Sequence, residues 1–207
     1  DGKVRISAPT GTSLDSVRMF ALSKLSWIRQ EHKKMSEQIR ETPREYVDRE
    51  SHYVWGERYL LKIVELDTAP TIELRNDSLV VTVRQGTTQE KLKDVVEQWL
   101  RDLVRVEASR FIQRWEPILN VKVKGLFVQR MKTMWGACNS ESSSIRLNTD
   151  LARKPLEFLE YVIVHEMVHL IEPNHGTKFQ SLMDKYFPNW RQFREELNRL
   201  PLKDFDL

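Results

Sequence analysis

The sequence predicts a mixed α+β fold, in which a twisted and largely antiparallel sheet packs against several helices. Two observations support this prediction. Apolar residues recur at steps of three and four in two long segments, which is the helical pattern. Short apolar runs with alternation or β-branching, separated by turn pairs, are typical of strands. The 207 residues suffice for one large domain or two small ones, and either can bury a core.

The predicted elements begin and end at recognisable signals. Thr12 and Asp15 form a capping box for the first helix, and Thr87 and Glu90 mark the start of the second. Pro117 should stop that second helix. In chain order the predicted elements are a strand at 3–7, a helix to about residue 40, hairpins at 53–66 and 71–84, the second helix, strands at 121–130, 132–137 and 144–148, and helices at about 155–172, 177–186 and 189–199.

Composition restricts the classes of function. The formal charge is +3, from 33 basic and 30 acidic residues, which is too balanced to argue for nucleic acid by itself. A single cysteine excludes an internal disulfide, so a reducing cytoplasm is the expected location. No apolar run approaches the ~20 residues of a membrane helix, and no secretory signal is visible, so no membrane partner is expected.

Three of the five histidines lie between residues 165 and 175, and they include the pattern His-Glu-x-x-His. On a helix, His165 and His169 stand one above the other, with Cβ atoms ~5–6 Å apart. Both imidazoles can therefore reach one zinc ion with bonds of ~2.0–2.1 Å. Glu166 is one step of ~100° further round the helix. That places it beside the metal, as the general base for a coordinated water.

A catalytic zinc takes three protein ligands and keeps one position open. His175 is the best third ligand, because Pro173 should end the helix at Glu172 and Gly176 lets the chain turn back. Glu172 is the rival ligand, three residues after His169 on the same helix face. Its carboxylate would more naturally orient an imidazole by accepting the second ring N–H.

Other residues are weaker candidates for the site. Peptide hydrolysis needs a donor for the negative charge that develops on the carbonyl oxygen, and Arg130, Asn148 and Tyr186 are candidates. Trp135 is either a core residue or a substrate contact. Cys138 is predicted to be a small buried thiol rather than a metal ligand or an inhibitory switch.

Further short segments restrict the metal motif to one family of metallopeptidases that it resembles. Trp-Gly-Ala-Cys at 135–138 is similar to a Trp-Gly-Ser-Cys segment, and Ile-Arg-Leu-Asn at 145–148 is similar to a strand of that family. His-Glu-x-x-His at 165–169, followed by Glu-Pro-Asn-His at 172–175, is similar to its metal motif. His-Gly-x-x-Phe at 175–179 fits the SprT-like group. On these segments the chain resembles the YgjP-like metallopeptidases, relatives of the SprT-like and WLM zincins.

The resemblance covers nearly the whole chain, because residues 1–9 are also similar to an interior turn and strand of that family. It implies a zincin-like fold in a single domain at 1–207, with the metal site at about 125–190 and a short N-terminal strand region missing. It also implies the roles of the site residues, which are His165, His169 and His175 as metal ligands and Glu166 as the catalytic residue.

The resemblance also implies partners. In zincins the substrate backbone pairs with an edge strand beside the active helix, which here would lie among 132–137 or 144–148. The SprT-like and WLM relatives include proteases of DNA-bound proteins, which implies proximity to DNA.

The predicted function is therefore that of a zinc-dependent hydrolase, a metallopeptidase that acts on peptide or protein substrates through a zinc-coordinated water. Two alternatives stay open. One is a zinc hydrolase of non-peptide amides or esters. The other is a nucleic-acid-associated protein in which zinc is structural and closed by four protein ligands. Another divalent ion is the alternative to zinc.

Overall fold

The structure is a computed structural model that describes residue 4 and residues 6–37 and 44–199. The chain divides into two compact units, residues 1–40 and residues 41–207. The predicted first strand lies partly outside the described residues, and its described residues 4, 6 and 7 belong to no strand. The last residues of the predicted first helix, 38–40, also lie outside the described residues. The single-domain extent over 1–207 stays a prediction.

The first unit contains two helices where the sequence predicts one, α1 (Leu14–Ser23) and α2 (Leu25–Glu37). Ser13 caps α1, since its hydroxyl oxygen accepts from the Ser16 N–H at 3.1 Å. The helix is interrupted at Lys24, where φ is −101° and ψ is 1°. The hydroxyl of Ser23 donates to the Phe20 carbonyl oxygen at 2.8 Å. Such side-chain bonding to the preceding turn competes with the helical hydrogen bonds and accompanies the break.

The second unit opens with a four-stranded sheet built from the two predicted hairpins. Its strands, in the spatial order β1-β2-β4-β3, are β1 (Ser51–Val54), β2 (Glu57–Glu65), β3 (Thr71–Arg75) and β4 (Ser78–Val83). Both hairpins are antiparallel, and β2 and β4 join them as a parallel pair with Leu61 opposite Leu79. Alternate residues of β4 are buried, which is the strand periodicity that predicted it.

A long helix follows, α3 (Gln89–Leu119), with Thr88 as its N-cap. The prediction that this helix stops before Pro117 is wrong. Pro117 lies in the last turn, so it removes a single hydrogen bond close to the helix end. Asn120 then closes the helix in the left-handed conformation, with φ 53°, and its N–H donates to the Glu116 carbonyl. Six buried residues repeat at four-residue steps, and Leu119 at the end of the helix is also buried. The six are Leu92, Val96, Leu100, Val104, Ala108 and Ile112.

The remaining strands form a second sheet of three, β5 (Gly125–Gln129), β6 (Gly136–Asn139) and β7 (Ser144–Asn148), in the order β5-β7-β6. The strand predicted at 132–137 is reduced to its last two residues. The fully buried Asn148 side chain donates to the carbonyl oxygens of Met131 and Met134, both at 2.9 Å. The segment before Gly136 is therefore held as a loop.

A 3-10 helix (Thr149–Arg153) leads to three final helices, α4 (Leu156–Val168), α5 (Thr177–Tyr186) and α6 (Trp190–Arg199). Helix α4 is mostly buried and packs on α3, β6 and β7. The α+β class with sheets against helices is confirmed. The described strands form two sheets instead of one, and three of their five pairings are antiparallel. Within the described residues no helix is long and apolar enough to cross a membrane.

Candidate metal and active site

The end of α4 brings the first two histidines to one face. The sequence predicts a helix to Glu172, but α4 ends at Val168 and His169 is its C-cap. The N–H groups of both Ile171 and Glu172 donate to the Val168 carbonyl at 2.9 Å, which turns the chain out of the helix. The His169 N–H still donates to the His165 carbonyl at 3.3 Å, so the four-residue spacing of these two rings is preserved.

The turn after α4 carries the third histidine back to the first two. The His175 Nε2 atom lies 3.0 Å from the His165 Nε2 atom and 3.1 Å from the His169 Nε2 atom. Among the described residues, these three histidines form the one group of potential metal ligands that converge in this way. The helix end and the turn therefore place three imidazole nitrogens around one point.

The chemistry of these three rings fits a cation. Burial, and then the neighbouring histidines, lowers the pKa of His165 to about 3, and burial lowers the pKa of His169 and His175. Neutral rings leave lone pairs available. The His169 Nδ1 atom lies 3.1 Å from the Glu172 carbonyl oxygen and donates to it, so its Nε2 atom carries the lone pair. Tetrahedral zinc sets its nitrogen ligands roughly 3.3 Å apart, close to the spacing here.

Glu172 contributes its backbone to this arrangement, while its carboxylate lies elsewhere. One carboxylate oxygen is 3.3 Å from the Lys178 Nζ atom, and the other accepts from the Asn174 N–H at 3.3 Å. The carboxylate is therefore outside the converging group. The expected orientation of His169 by Glu172 comes from the carbonyl oxygen of Glu172.

One aromatic side chain supports all three imidazoles. Phe179, at the start of α5, is 1% exposed. Its ring centroid lies 4.9 Å from that of His165 and 4.7 Å from those of His169 and His175. This contact gives a physical reason for the His-Gly-x-x-Phe spacing, because the helix that follows Gly176 begins by placing Phe179 under the rings.

The side chain of Glu166, a residue of α4, lies against Gly136 of β6. This side chain is buried, at 6% exposure, and burial raises its pKa to about 8. A Cβ atom on Gly136 would lie 2.7 Å from Glu166 Oε1 and 2.7 Å from Val162 Cγ1. Only glycine leaves room there, which explains the glycine that follows Trp135. Burial and the charge of Glu166 raise the pKa of Cys138 to about 11, so the half-buried thiol stays protonated, and it is not part of the converging histidine group.

An open cavity of about 420 Å³ lies in front of Glu166, His165 and His175. Two walls of this cavity (hereafter the active-site cavity) come from the loop before β6 and from α6. Its lining residues are Thr133, Met134, Trp135, Gly136, Tyr161, Val162, His165, Glu166, His175, Arg194, Leu197 and Asn198. Trp135 therefore lines the cavity. Of its two predicted roles, core residue and substrate contact, the second requires this position.

The predicted oxyanion donors are not among the lining residues. Asn148 is fully buried, and its side chain is occupied by backbone groups. Arg130 and Tyr186 do not line the active-site cavity. The cation that does line it is Arg194, which belongs to no motif of the sequence. Its only sequence signal is its place beside the apolar stripe of α6, between Phe193 and Leu197.

The strand order of the second sheet shows which of the two candidate segments contains an edge strand. β7 lies in the centre of this sheet, with β5 and β6 on its sides. β6 pairs with β7 alone among the described strands, so its other edge is open to a partner. Gly136, which contacts Glu166, begins this edge strand.

Comparisons with known proteins give one family and two similar structures. The family model of the YgjP-like metallopeptidase domain matches residues 1–200. No curated protein matches the chain. The metallopeptidase zymogen jannalysin of Methanocaldococcus jannaschii is 22% identical over 44% of this chain and 92% of its own, with a TM-score of 0.40. The metallopeptidase zymogen abylysin of Pyrococcus abyssi is 17% identical over 46% of this chain and 99% of its own, with a TM-score of 0.41.

Proposed function

Because the chain belongs to the YgjP-like metallopeptidase family, we propose that it hydrolyses peptide bonds with one zinc ion held by His165, His169 and His175. Glu166 is the general base of this reaction. The observation that supports the proposal best is the convergence of three neutral imidazole Nε2 atoms, at 3.0 and 3.1 Å, beside a buried carboxylate. Peptides or proteins are the substrate class.

Each residue has a separate task in this proposal. Zinc, when bound, lowers the pKa of a coordinated water toward ~7 and polarises the substrate carbonyl. Glu166 accepts the proton of the attacking water and passes it to the leaving amine. Burial shifts the pKa of Glu166 upward toward the neutral range, where a side chain can both take up and release a proton. The Glu172 carbonyl holds the His169 ring in the tautomer that presents Nε2.

The open edge of β6 is the proposed binding place for the substrate backbone. A peptide added to this edge would run past Gly136, and therefore past Glu166, along one wall of the active-site cavity. Gly136 has no side chain to interrupt this approach.

The ligand count favours a catalytic ion over a structural one. A structural zinc is closed by four protein ligands and has no need of a buried carboxylate beside it. In the described part of the chain three ligand groups converge, and the active-site cavity gives solvent access to His165 and His175. A fourth position would thus remain for water or substrate.

Metal analysis of the purified protein, combined with peptide-library cleavage, tests the proposal. We expect about one zinc per chain, cleavage that is lost with a chelator, and cleavage that returns when zinc is added. The Glu166→Gln variant should keep its zinc and lose roughly 10²–10⁴-fold in kcat. Hydrolysis at the wild-type rate in that variant would contradict the proposed role of Glu166.

Glu172→Gln is the matched control for this experiment. It removes a carboxylate from the same segment of the chain and keeps the backbone carbonyl that contacts His169. Zinc content and cleavage should stay close to wild type. A loss of zinc in Glu172→Gln would show that Glu172 is a ligand. Cleavage of esters or non-peptide amides alone would identify the alternative hydrolase.

A further inference from the structure

Helix α6 presents one cation to the active-site cavity from a fixed position. The ring of Phe193 stacks on Tyr161, with centroids 6.0 Å apart, and meets Phe158 and Phe187 edge-on at 5.5 and 5.3 Å. These contacts fix the helix against α4. Arg194, the next residue, is exposed and lines the active-site cavity together with His165 and Glu166.

Arg194 has no carboxylate partner in the described part of the chain, because the acids nearest to it in the sequence pair with other residues. Asp184 accepts from the Trp190 indole at 2.8 Å and also from Arg191. Glu195 lies 3.6 Å from Arg199, and Glu196 accepts from Gln192 at 2.9 Å. The guanidinium of Arg194 is therefore available to a ligand.

The charge of Arg194 reaches the proposed metal site. Among the described residues that line the active-site cavity, it is the only Arg or Lys. After burial and the neighbouring histidines, Arg194 also lowers the pKa of His165 and His175. The cavity lining thus carries a positive charge within electrostatic range of His165 and His175. A guanidinium in that setting favours an anion, and its planar fork matches a carboxylate.

We propose that Arg194 binds a carboxylate of the substrate and so selects peptides that carry one close to the cleaved bond. This inference rests on the proposed peptidase function and names its substrate class. The carboxylate has two sources in a peptide, the C-terminal α-carboxylate and the side chain of Asp or Glu. Asn198, one helical turn after Arg194, lines the same cavity.

Two pairs of quenched fluorescent peptides distinguish these sources. The first pair differs only in a free or amidated C-terminus, and the second only in Glu or Gln at one internal position that is moved through the peptide. Wild-type enzyme should prefer the carboxylate member of one pair by about ten- to hundredfold in kcat/KM, as for a charge-assisted hydrogen bond. Arg194→Gln should abolish the preference, and Arg194→Lys should keep part of it.

Arg199→Gln is the control for the lost charge. Arg199 stands on the same helix, pairs with Glu195 and is absent from the cavity lining. Its variant should keep the wild-type preference. Arg194→Glu should reverse the preference, so that a peptide with Lys at the selected position is cleaved faster than the one with Glu. Circular dichroism melts of every variant verify that each is folded.

A binding measurement separates failure of this inference from failure of the proposed function. The zinc-loaded Glu166→Gln protein is titrated with the same peptides, labelled for fluorescence anisotropy, with and without Arg194→Gln. If the wild-type protein cleaves no peptide, the peptidase proposal fails. The measured affinities still test whether Arg194 binds a carboxylate. Equal affinities for the carboxylate and amide peptides, or a preference that survives Arg194→Gln, would overturn the inference.

Discussion

Two clusters of buried polar groups in the second unit contrast sharply. One, the paired cluster, consists of Arg153, Glu97, Asp150 and Tyr46. The other, the histidine site, consists of the three histidines and Glu166. Each holds an ionisable side chain removed from water, since Arg153 is 3% exposed and Glu166 is 6% exposed. The clusters differ in what surrounds that side chain.

Arg153 is compensated by opposite charges. Its two terminal nitrogens donate to Glu97 and Asp150, each at 2.7 Å, and the Tyr46 hydroxyl donates to the same Glu97 oxygen at 2.6 Å. Burial lowers the pKa of Arg153, but the two carboxylates outweigh that effect and raise it. The paired cluster ties the 3-10 helix to α3 and to the segment before β1, so its role is structural.

The histidine site lacks such compensation. No described side chain or backbone group donates to the Glu166 carboxylate, and burial is the cause of its raised pKa. The buried His165 Nδ1 atom also has no hydrogen-bond partner in the described part of the protein. Buried polar groups are otherwise almost always satisfied. The Arg153 Nε atom also lacks a partner among the described residues, so a single unpaired atom does not separate the two clusters. The contrast teaches that a buried ionisable group without an opposite charge marks the place where a ligand, rather than the fold, is expected to complete the interactions.

Breaking the paired cluster should have the largest effect on stability. Arg153→Met leaves the buried Asp150 without its ion-pair partner and removes the hydrogen bond from Arg153 to Glu97, which should lower the free energy of unfolding by about 3–5 kcal/mol. Urea denaturation measures this, with Arg199→Met as the control for loss of an exposed guanidinium. A loss below about 1 kcal/mol would show that the paired cluster is not what holds these elements together.

At the histidine site, activity should depend instead on the position of the Glu166 side chain. In Gly136→Ala the new Cβ atom forces Glu166 and Val162 to move, because it would lie 2.7 Å from atoms of each. A shift of this size should lower kcat/KM by about ten- to hundredfold, with zinc content unchanged. Gly176→Ser is the matched control, since nothing lies within 4 Å of a Cβ there and serine suits the N-cap of α5. Equal activity of the two variants would contradict the close approach.

Features that depend on residues close together in the sequence could be predicted from it. The spacing of His165 and His169 was sufficient to predict that they share a helix face, because that spacing is a local property. Pro173 predicted the return of His175, although α4 ends earlier than expected, and Gly176 is extended with φ −74°, so the turn does not use the freedom of glycine. Both hairpins of the first sheet were also predicted, from turn pairs and alternation that lie within a few residues.

Predictions failed where distant residues decide the structure. The segment 132–135 has strand-like composition, but Asn148 binds the carbonyls of Met131 and Met134 from across the sheet. The division into two sheets follows from pairings that local patterns do not encode. Arg194 becomes a cavity residue because Phe193 packs on Tyr161, a contact between helices that are far apart in the sequence.

A smaller effect should appear in the pH dependence of stability. His52, whose ring lies 5.3 Å from that of Tyr46, has its pKa lowered to about 4, first by burial and then by Arg44. In the unfolded chain it titrates near 6.5. The unfolded state therefore binds the extra proton between those values, and stability falls as the pH drops from 6.5 toward 4. The loss from this group should be about 2 kcal/mol between pH 7 and pH 5.

Denaturation at both pH values, in wild type and in His52→Gln, measures that contribution. The variant cannot take up the proton, so its stability should fall less than that of wild type, although the other histidines titrate in both proteins. Parallel losses in the two proteins would assign the pH dependence to other groups.

The smallest expected effect is also the most direct test of the contrast. In zinc-free protein, Glu166→Gln replaces a buried carboxyl group that has no described hydrogen-bond donor with a neutral amide of the same shape. Because no described partner is lost, the free energy of unfolding should stay within about 1 kcal/mol of wild type or rise. Urea denaturation of both proteins in chelator measures this. A loss comparable to that of Arg153→Met would mean that Glu166 is a structural anchor, and that the two clusters differ less than their contacts indicate.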